Sequence, residues 1–206
     1  MTTDVKLRCE CGQVRGVARD VSPRGGTRVV CLCIDCQAYA HFLGRAAMLD
    51  ENGGTDIFQL APGQLDLREG RDQLRCMRLG PKGAMRWYTE CCKTPVGNTA
   101  PSPSVPFVGV PHPFMDHGPS ADARDRDLGP IRYRVQGQYG HGSLPSGTHA
   151  KFPPRLLART AYLLLRAKLT GKARPSPFWD DRGRPRVEPL VITREERARF
   201  EALARG

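Results

Sequence analysis

Three cysteines stand within six residues in the stretch CLCIDC, at residues 31–36. An earlier stretch, CECG at residues 9–12, places two thiols two residues apart, and side chains at that spacing on a strand point to the same face. A third group, Cys91 and Cys92, follows much later in the chain. Such clusters of thiols are typical of zinc sites, and they are too close together to be scattered core residues.

Seven clustered thiols are too many for one tetrahedral ion, so we expect two zinc ions per chain. The first and last pairs form one predicted site, with the ligands Cys9, Cys11, Cys91 and Cys92. The second predicted site holds only Cys31, Cys33 and Cys36. Three protein ligands leave the fourth position of the ion to water or to a substrate thiolate, as in catalytic zinc sites.

The composition of the 206 residues favours a β-rich fold over a helical bundle. There are 22 Gly and 18 Pro residues, which indicates short strands and many turns, and aromatic residues make up only 7%. No apolar run approaches the length of a membrane-spanning helix, so we expect no membrane span. The polar N-terminus lacks the profile of a secretory signal, so we expect a cytoplasmic protein whose cysteines stay reduced.

The hydrophobic pattern predicts a β-rich domain over residues 1–150 and a helical extension over residues 151–206. A hairpin is predicted from residues 5–8 and 13–18, which flank the first cysteine pair. Further strands are predicted at residues 27–33, 55–59, 73–79, 84–89 and 131–135, and long loops at residues 100–106 and 111–130. In the extension, one helix begins at Pro153-Pro154 and ends near Gly171, and a second follows the capping box that Thr193 opens.

Positive charge is concentrated in the extension. The chain carries a net charge of +11, and the residues from Pro153 onward contain 13 Lys or Arg but only 6 Asp or Glu. A basic helix of this kind can bind an anionic membrane or nucleic acid. We favour a solvated helix packed on the β domain, and nucleic acid is not an expected partner, because no stacking aromatic residues are interleaved with the basic ones.

The cysteine motifs resemble those of the glutathione-dependent formaldehyde-activating enzyme family, which includes the centromere protein V-like proteins. The similarity lies in residues 9–12, residues 31–36 and the stretch RWYTECCKTP at residues 86–95, and it spans roughly residues 5–135. It implies a fold of small, stacked antiparallel sheets stapled by two zinc ions. It also implies that Cys9, Cys11 and Cys92 are structural ligands. Cys31, Cys33 and Cys36 would bind the ion that meets the sulfur of glutathione.

The late motif departs from the family pattern, which reads Cys-x-x-Cys-Gly-Thr. If Cys92 is the second cysteine, Thr89 occupies the position of the first and Lys93 replaces the glycine. Cys91 is the candidate replacement ligand. Because neighbouring side chains on a regular strand point to opposite faces, this replacement requires a turn or bulge at residues 90–93.

These observations leave three functions open. The resemblance implies an enzyme, a zinc-dependent carbon–sulfur lyase whose partner is a small thiol such as a glutathione adduct. The alternatives are a zinc-stabilised module that binds protein or nucleic acid, and a protein whose two ions are both structural. In the last case His41 or water closes the second site. Asp35 is a candidate base or a carboxylate that stabilises a positively charged group, with a loop-capping carboxylate as the alternative. Cys76 is predicted to be a buried structural thiol, and the catalytic residue and the oligomeric state are not predicted.

Overall fold

A computed structural model describes residues 2–120 and 122–205, which form twelve β-strands and four α-helices. The strands are β1 (Thr3–Arg8), β2 (Arg15–Val21), β3 (Thr27–Cys31), β4 (Thr55–Leu60), β5 (Leu65–Glu69), β6 (Leu74–Arg78), β7 (Met85–Thr89), β8 (Pro95–Thr99), β9 (Val108–Pro111), β10 (Met115–Asp116), β11 (Tyr133–Val135) and β12 (Leu190–Val191). The helices are α1 (Ile34–Phe42), α2 (Ala123–Leu128), α3 (Pro154–Leu169) and α4 (Arg194–Arg205). The predicted mainly β fold with a helical C-terminal part is confirmed.

The strands form two sheets. The smaller sheet is antiparallel, with the order β10-β1-β2-β5, and it contains the predicted hairpin of β1 and β2. Gly16 is required in β2, because a Cβ atom there would lie 2.3 Å from the carbonyl oxygen of Asp66 on β5. The larger sheet has the order β11-β3-β4-β9-β8-β7-β6-β12, and its two edge strands, β11 and β12, pair in parallel with their neighbours.

The main core lies between the two sheets. Val5 and Leu7 of β1 belong to the same buried cluster as Phe58 and Trp87 of the larger sheet. All five residues of β7 are buried, because the opposite face of the larger sheet is also covered. There Tyr88 packs in a second cluster with residues of α1 and with Ile192, the residue that precedes α4 by two positions. Within the described residues, no helix is both long and apolar enough to cross a membrane.

The predicted extension packs closely against the rest of the chain. The ring of Phe178 lies 4.9 Å from that of Trp87 in the main core, β12 pairs with β6, and α4 packs against α1. The capping box of Thr193 forms as predicted, with Glu196 N–H donating to Thr193 Oγ1 over 3.1 Å. The division of the chain at residue 150 stays a prediction.

Two local predictions are wrong. The strand predicted for residues 27–33 ends at Cys31, because Cys33 becomes the N-cap of α1, a helix that the sequence did not predict. Residues 111–130 were predicted as a loop, but they contain β10 and α2. β10 adds to the edge of the smaller sheet through pairing with β1, a long-range contact that local composition does not encode.

Candidate metal centres

Four cysteines meet where the two sheets approach each other. Cys9 and Cys11 lie in the turn between β1 and β2, and Cys91 and Cys92 lie in the turn between β7 and β8. All four Sγ atoms lie within 4.8 Å of one another. The sequence therefore identified, from spacing alone, a set of thiols that the fold brings together across two sheets.

The spacing of these sulfurs fits a tetrahedral zinc ion. Zinc–sulfur bonds of about 2.3 Å in a tetrahedron require sulfurs about 3.8 Å apart. The Sγ–Sγ distances are 3.5 Å from Cys9 to Cys11, 3.9 Å from Cys9 to Cys91, 3.3 Å from Cys11 to Cys91 and 3.8 Å from Cys91 to Cys92. These four residues can hold one metal ion without rearrangement of the backbone.

Two tight turns bring the thiols to this point. In the first, Gly12 has a φ of +78° and Val14 N–H donates to Cys9 Sγ over 3.2 Å. In the second, Lys93 has a φ of +55° and its N–H donates to the carbonyl oxygen of Thr89 over 2.8 Å. Lys93 thus takes the left-handed conformation that a glycine at this position favours. The turn predicted for residues 90–93 is confirmed.

Threonine hydroxyls surround the sulfur of Cys92. The Oγ1 atoms of Thr89 and Thr94 lie 3.4 Å and 3.2 Å from Cys92 Sγ. Burial alone would raise the pKa of Cys92, but these hydroxyl contacts and the backbone of Cys11 lower it to about 5. Burial and the contact with Cys11 raise the pKa of Cys91 to about 12. Thr89, which stands where the resembled family has a cysteine, thus contacts a candidate ligand and stabilises its thiolate.

The second cluster forms at the junction between β3 and α1. Cys31 is the last residue of β3, Cys33 is the N-cap of α1, and Cys36 lies in the first turn of that helix. Their three Sγ atoms lie within 4.8 Å of one another. Cys36 N–H donates to Cys33 Sγ over 3.4 Å, so the cysteine sulfur replaces the oxygen of an ordinary N-cap residue. The positive end of the helix dipole also favours thiolates at this position.

The three thiols of this cluster differ in ionisation. Hydrogen bonds with Cys31 and Cys33, together with the nearby positive charge of Arg86, hold the pKa of Cys36 well below its usual value. Cys31 has a pKa well above the usual value, because it shares hydrogen bonds with the other two thiols and is buried. The cluster therefore stabilises negative charge at Cys36 first.

A buried arginine lies against the second cluster. Arg86 on β7 is 5% exposed, and its Nη1 atom lies 3.8 Å from Cys36 Sγ and 3.4 Å from Asn98 Oδ1. Its guanidinium carbon lies 5.2 Å from the ring centroid of Tyr39. The nearby Cys36, Cys33 and Asp35 raise the pKa of Arg86 although burial opposes this, so the group is a permanent cation. Sequence reasoning did not assign Arg86 a role; its only signal was one basic residue in an otherwise uncharged strand.

Neither His41 nor Asp35 completes the second cluster. Across residues 2–120 and 122–205, no His, Asp or Glu atom joins the three sulfurs in a group that can hold a metal. Asp35 instead pairs with Arg197 of α4 at 2.9 Å and with Arg86 at 4.0 Å. The geometry therefore gives this cluster three protein ligands, and only Cys33 among them is partly exposed.

Gln37 joins the second cluster to the segment at residues 137–142. It is buried, and its Nε2 atom donates to the carbonyl oxygens of Leu32 and Tyr139 over 2.7 Å and 2.9 Å. Its Oε1 atom lies 2.9 Å from His141 Nε2. This amide fixes the start of α1 against the segment, an arrangement that sequence spacing does not reveal.

Cys76 belongs to neither cluster. It lies on β6 in the main core, where it is 2% exposed, and burial raises its pKa to about 12. A buried thiol of high pKa is unreactive and behaves as a small apolar side chain. The prediction that Cys76 is a structural thiol agrees with this position.

Residues 1–189 match the model of a family described as a family of unknown function (DUF6151). The match covers most of the chain, and the chain belongs to this family. No curated protein matches the sequence. The matched residues include both cysteine clusters and Arg86, whereas α4 lies outside them.

Proposed function

We propose that this DUF6151 protein binds two zinc ions and acts as a carbon–sulfur lyase on small thiol adducts of the glutathione type. The observation that carries the proposal is the three-sulfur cluster, which has three cysteines and no fourth protein ligand among the described residues. With three thiolates, zinc would supply an open position for a fourth, soft ligand such as a substrate thiolate. The four-cysteine cluster would hold a structural ion.

Arg86 supports a thiolate-rich second site. Three thiolates exceed the charge of a divalent ion by one, and a buried net charge without a partner is costly. The guanidinium of Arg86 supplies one compensating positive charge at 3.8 Å from Cys36 Sγ. Because Asp35 is also paired with Arg197, the cation of Arg86 remains available to the sulfurs.

The polar groups around the cluster would orient a ligand at Cys33. The N–H group of Cys36 fixes the sulfur of Cys33, and Gln37 fixes the adjacent segment through Tyr139. Tyr139, which lies within this segment, is 41% exposed. In the direction of adduct formation, a lone pair of the glutathione sulfur forms a bond to the aldehyde carbon. The π pair of the carbonyl moves to its oxygen, which takes up the proton that the thiol has lost. Cleavage of the adduct is the reverse reaction.

The burial of Cys31 and Cys36 favours a second candidate, in which the second ion is structural and the protein is a binding module. Both residues are only 7% exposed. In that case a water or a residue that moves on metal binding closes the site, and no thiol reaches the ion. The two functions differ in whether an added thiol enters the coordination of the metal.

Metal analysis followed by cobalt substitution tests the proposal. Wild-type protein should contain two zinc ions, and the variants Cys33→Ser and Cys92→Ser should each contain one, whereas Cys76→Ser should keep both. The absorption of cobalt in the second site should change when glutathione is added and stay constant with S-methylglutathione, which has no free thiol. Turnover of glutathione with formaldehyde should disappear in Cys33→Ser.

Two results would contradict the proposal. If the wild-type protein contains a single zinc ion, the assignment of the seven cysteines to two zinc sites is wrong. If the protein holds two ions, its cobalt spectrum does not change with glutathione and it turns over no adduct, the protein is a binding module instead.

A further inference from the structure

Helix α3 has an apolar face on each side. Its inward face holds Leu156 and Ala167, which are 2% and 4% exposed. Its outward face holds Leu157, Leu165 and Leu169, which are 55%, 57% and 78% exposed. Of the ten large apolar side chains that are exposed in the described part of the chain, five lie in residues 152–169. Exposed apolar groups concentrated on one element indicate an interaction surface.

The outward face is continuous along the helix. At 100° per residue, Leu157, Ala161, Leu165, Leu169 and Tyr162 cover one sector, in that order. All five residues are exposed, whereas the inward positions are buried or half-buried. The burial pattern thus separates the outward apolar face from the inward one.

Specific contacts hold the helix in this orientation. Leu156 belongs to the buried cluster that contains Cys31 and Cys36. Arg159 donates to Thr27 Oγ1 over 2.8 Å and to the carbonyl oxygen of Gly26 over 2.6 Å. The outward leucines therefore lie on a helix that is anchored on its other side, and they are not free to turn inward.

Positive charge lies both beside and within the outward face, because Arg155 and Arg166 border it and Lys168 falls inside its sector. Residues 128–179 contain nine Lys or Arg and no Asp or Glu. Arg155, Arg166 and Lys168 are exposed and form no ion pair with any residue that the structure describes. Lys172, just beyond the helix, pairs with Asp20 at 2.8 Å, and Arg134 pairs with Asp50 at 3.2 Å. A surface of this kind attracts an anionic partner.

We propose that α3 docks on anionic lipid membranes, with its outward leucines in the interface and its basic side chains on the lipid headgroups. A helix that combines exposed leucines with Lys and Arg lies in the plane of such an interface. A second copy of the chain fits less well, because a symmetric contact would place the unpaired cations against one another. Nucleic acid fits less well because its phosphate backbone provides no apolar surface against which the leucines at the centre of the face can pack.

Vesicle flotation with the full chain tests the proposal. The protein should float with vesicles of phosphatidylcholine and phosphatidylserine and stay behind with vesicles of phosphatidylcholine alone. Leu165→Glu should lower the bound fraction at least about tenfold, and Arg166→Glu with Lys168→Glu should lower it in a salt-dependent way. Leu203→Glu on α4 is the matched control, since Leu203 is 52% exposed, and it should bind as wild type does.

Other outcomes would overturn the proposal. If Leu165→Glu abolishes a dimer that forms in the absence of lipid, and wild type does not float, the occupant is a second copy. If wild type binds duplex DNA and ignores the vesicles, the surface is a nucleic-acid site. Equal loss in Leu203→Glu and Leu165→Glu would show that the leucines of α3 are not special. Unchanged thermal unfolding and zinc content in each variant exclude misfolding as the cause.

Discussion

Replacing Arg86 with methionine removes the positive charge beside the three-sulfur cluster while keeping a side chain of similar length. Arg86 Nη1 lies 3.8 Å from Cys36 Sγ, and the arginine is 5% exposed. If the three cysteines bind zinc as thiolates, the site carries one net negative charge. Arg86→Met then leaves that charge without its buried positive partner. We expect the second zinc ion to bind more weakly, while the four-cysteine site stays unchanged.

The distance sets the size of the effect. Two opposite unit charges at 3.8 Å interact by about 4 kcal/mol at an effective dielectric constant of about 20. The net charge is shared by three sulfurs, and Arg86 also stabilises the Cys36 thiolate of the metal-free cluster. We therefore expect a loss of about 1–2 kcal/mol, which corresponds to about 5- to 30-fold in zinc affinity. Arg86→Lys keeps the charge and loses the planar donor geometry, so it should retain most of the affinity.

Stepwise competition with a chromophoric zinc chelator measures this loss, because the weaker ion leaves first. Arg68→Met is the matched control: Arg68 lies on β5, its side chain is 54% exposed, and its removal takes away the same charge far from the cluster. A folded Arg86→Met protein whose second ion binds within about threefold of wild type would refute the electrostatic reasoning. An equal loss in Arg86→Lys would show that the geometry of the guanidinium matters and its charge does not.

Three further predictions concern stability. Cys76→Ser should keep both zinc ions and lower the free energy of unfolding in urea by about 1–3 kcal/mol, because it places a hydroxyl without a partner in the main core. Arg28→Met should lower the free energy of unfolding by about 3 kcal/mol in the same assay. The substitution removes the guanidinium that lies 2.7 Å from Asp56, whose side chain is 13% exposed, although Arg124 remains at 3.4 Å. Unchanged stability would show that solvent screens the Arg28–Asp56 pair. Burial lowers the pKa of His112, so below about pH 6.5 the unfolded chain binds a proton that the folded chain resists, and stability should decline as the pH falls. His112→Gln should make that decline shallower, and an unaltered slope would assign it to other groups.

Local sequence signals predicted the elements that carry a clear pattern. The hairpin around the first cysteine pair, the capping box at Thr193 and the two prolines at the start of α3 are each encoded within a few residues, and each element forms as predicted. β8 and β9 were missed because Gly and Pro interrupt their patterns. β10 was missed because it has only two residues and forms through pairing with the distant β1. Such pairing is tertiary information that a single segment does not contain.

The candidate site, like the fold, was predictable only in part. Cysteine spacing was sufficient to separate seven thiols into the two groups that the fold assembles. The pattern of residues 31–36 was nevertheless misread as the end of a strand, because Cys33 is not a usual N-cap residue and its sulfur takes that role only in α1. Arg86 and Gln37 were missed, since nothing near either residue in the sequence shows that it meets the cluster.

The positions of the two clusters indicate what each ion would do for the fold. The four-cysteine cluster joins turns that are 80 residues apart and belong to different sheets, so an ion there would constrain a long segment of the unfolded chain. The second cluster takes its three sulfurs from six consecutive residues, and an ion there would restrict the unfolded chain very little. Its binding energy is therefore not required to hold the sheets together. We therefore propose the local cluster, with its three protein ligands and the neighbouring cation of Arg86, as the one that binds and releases a ligand.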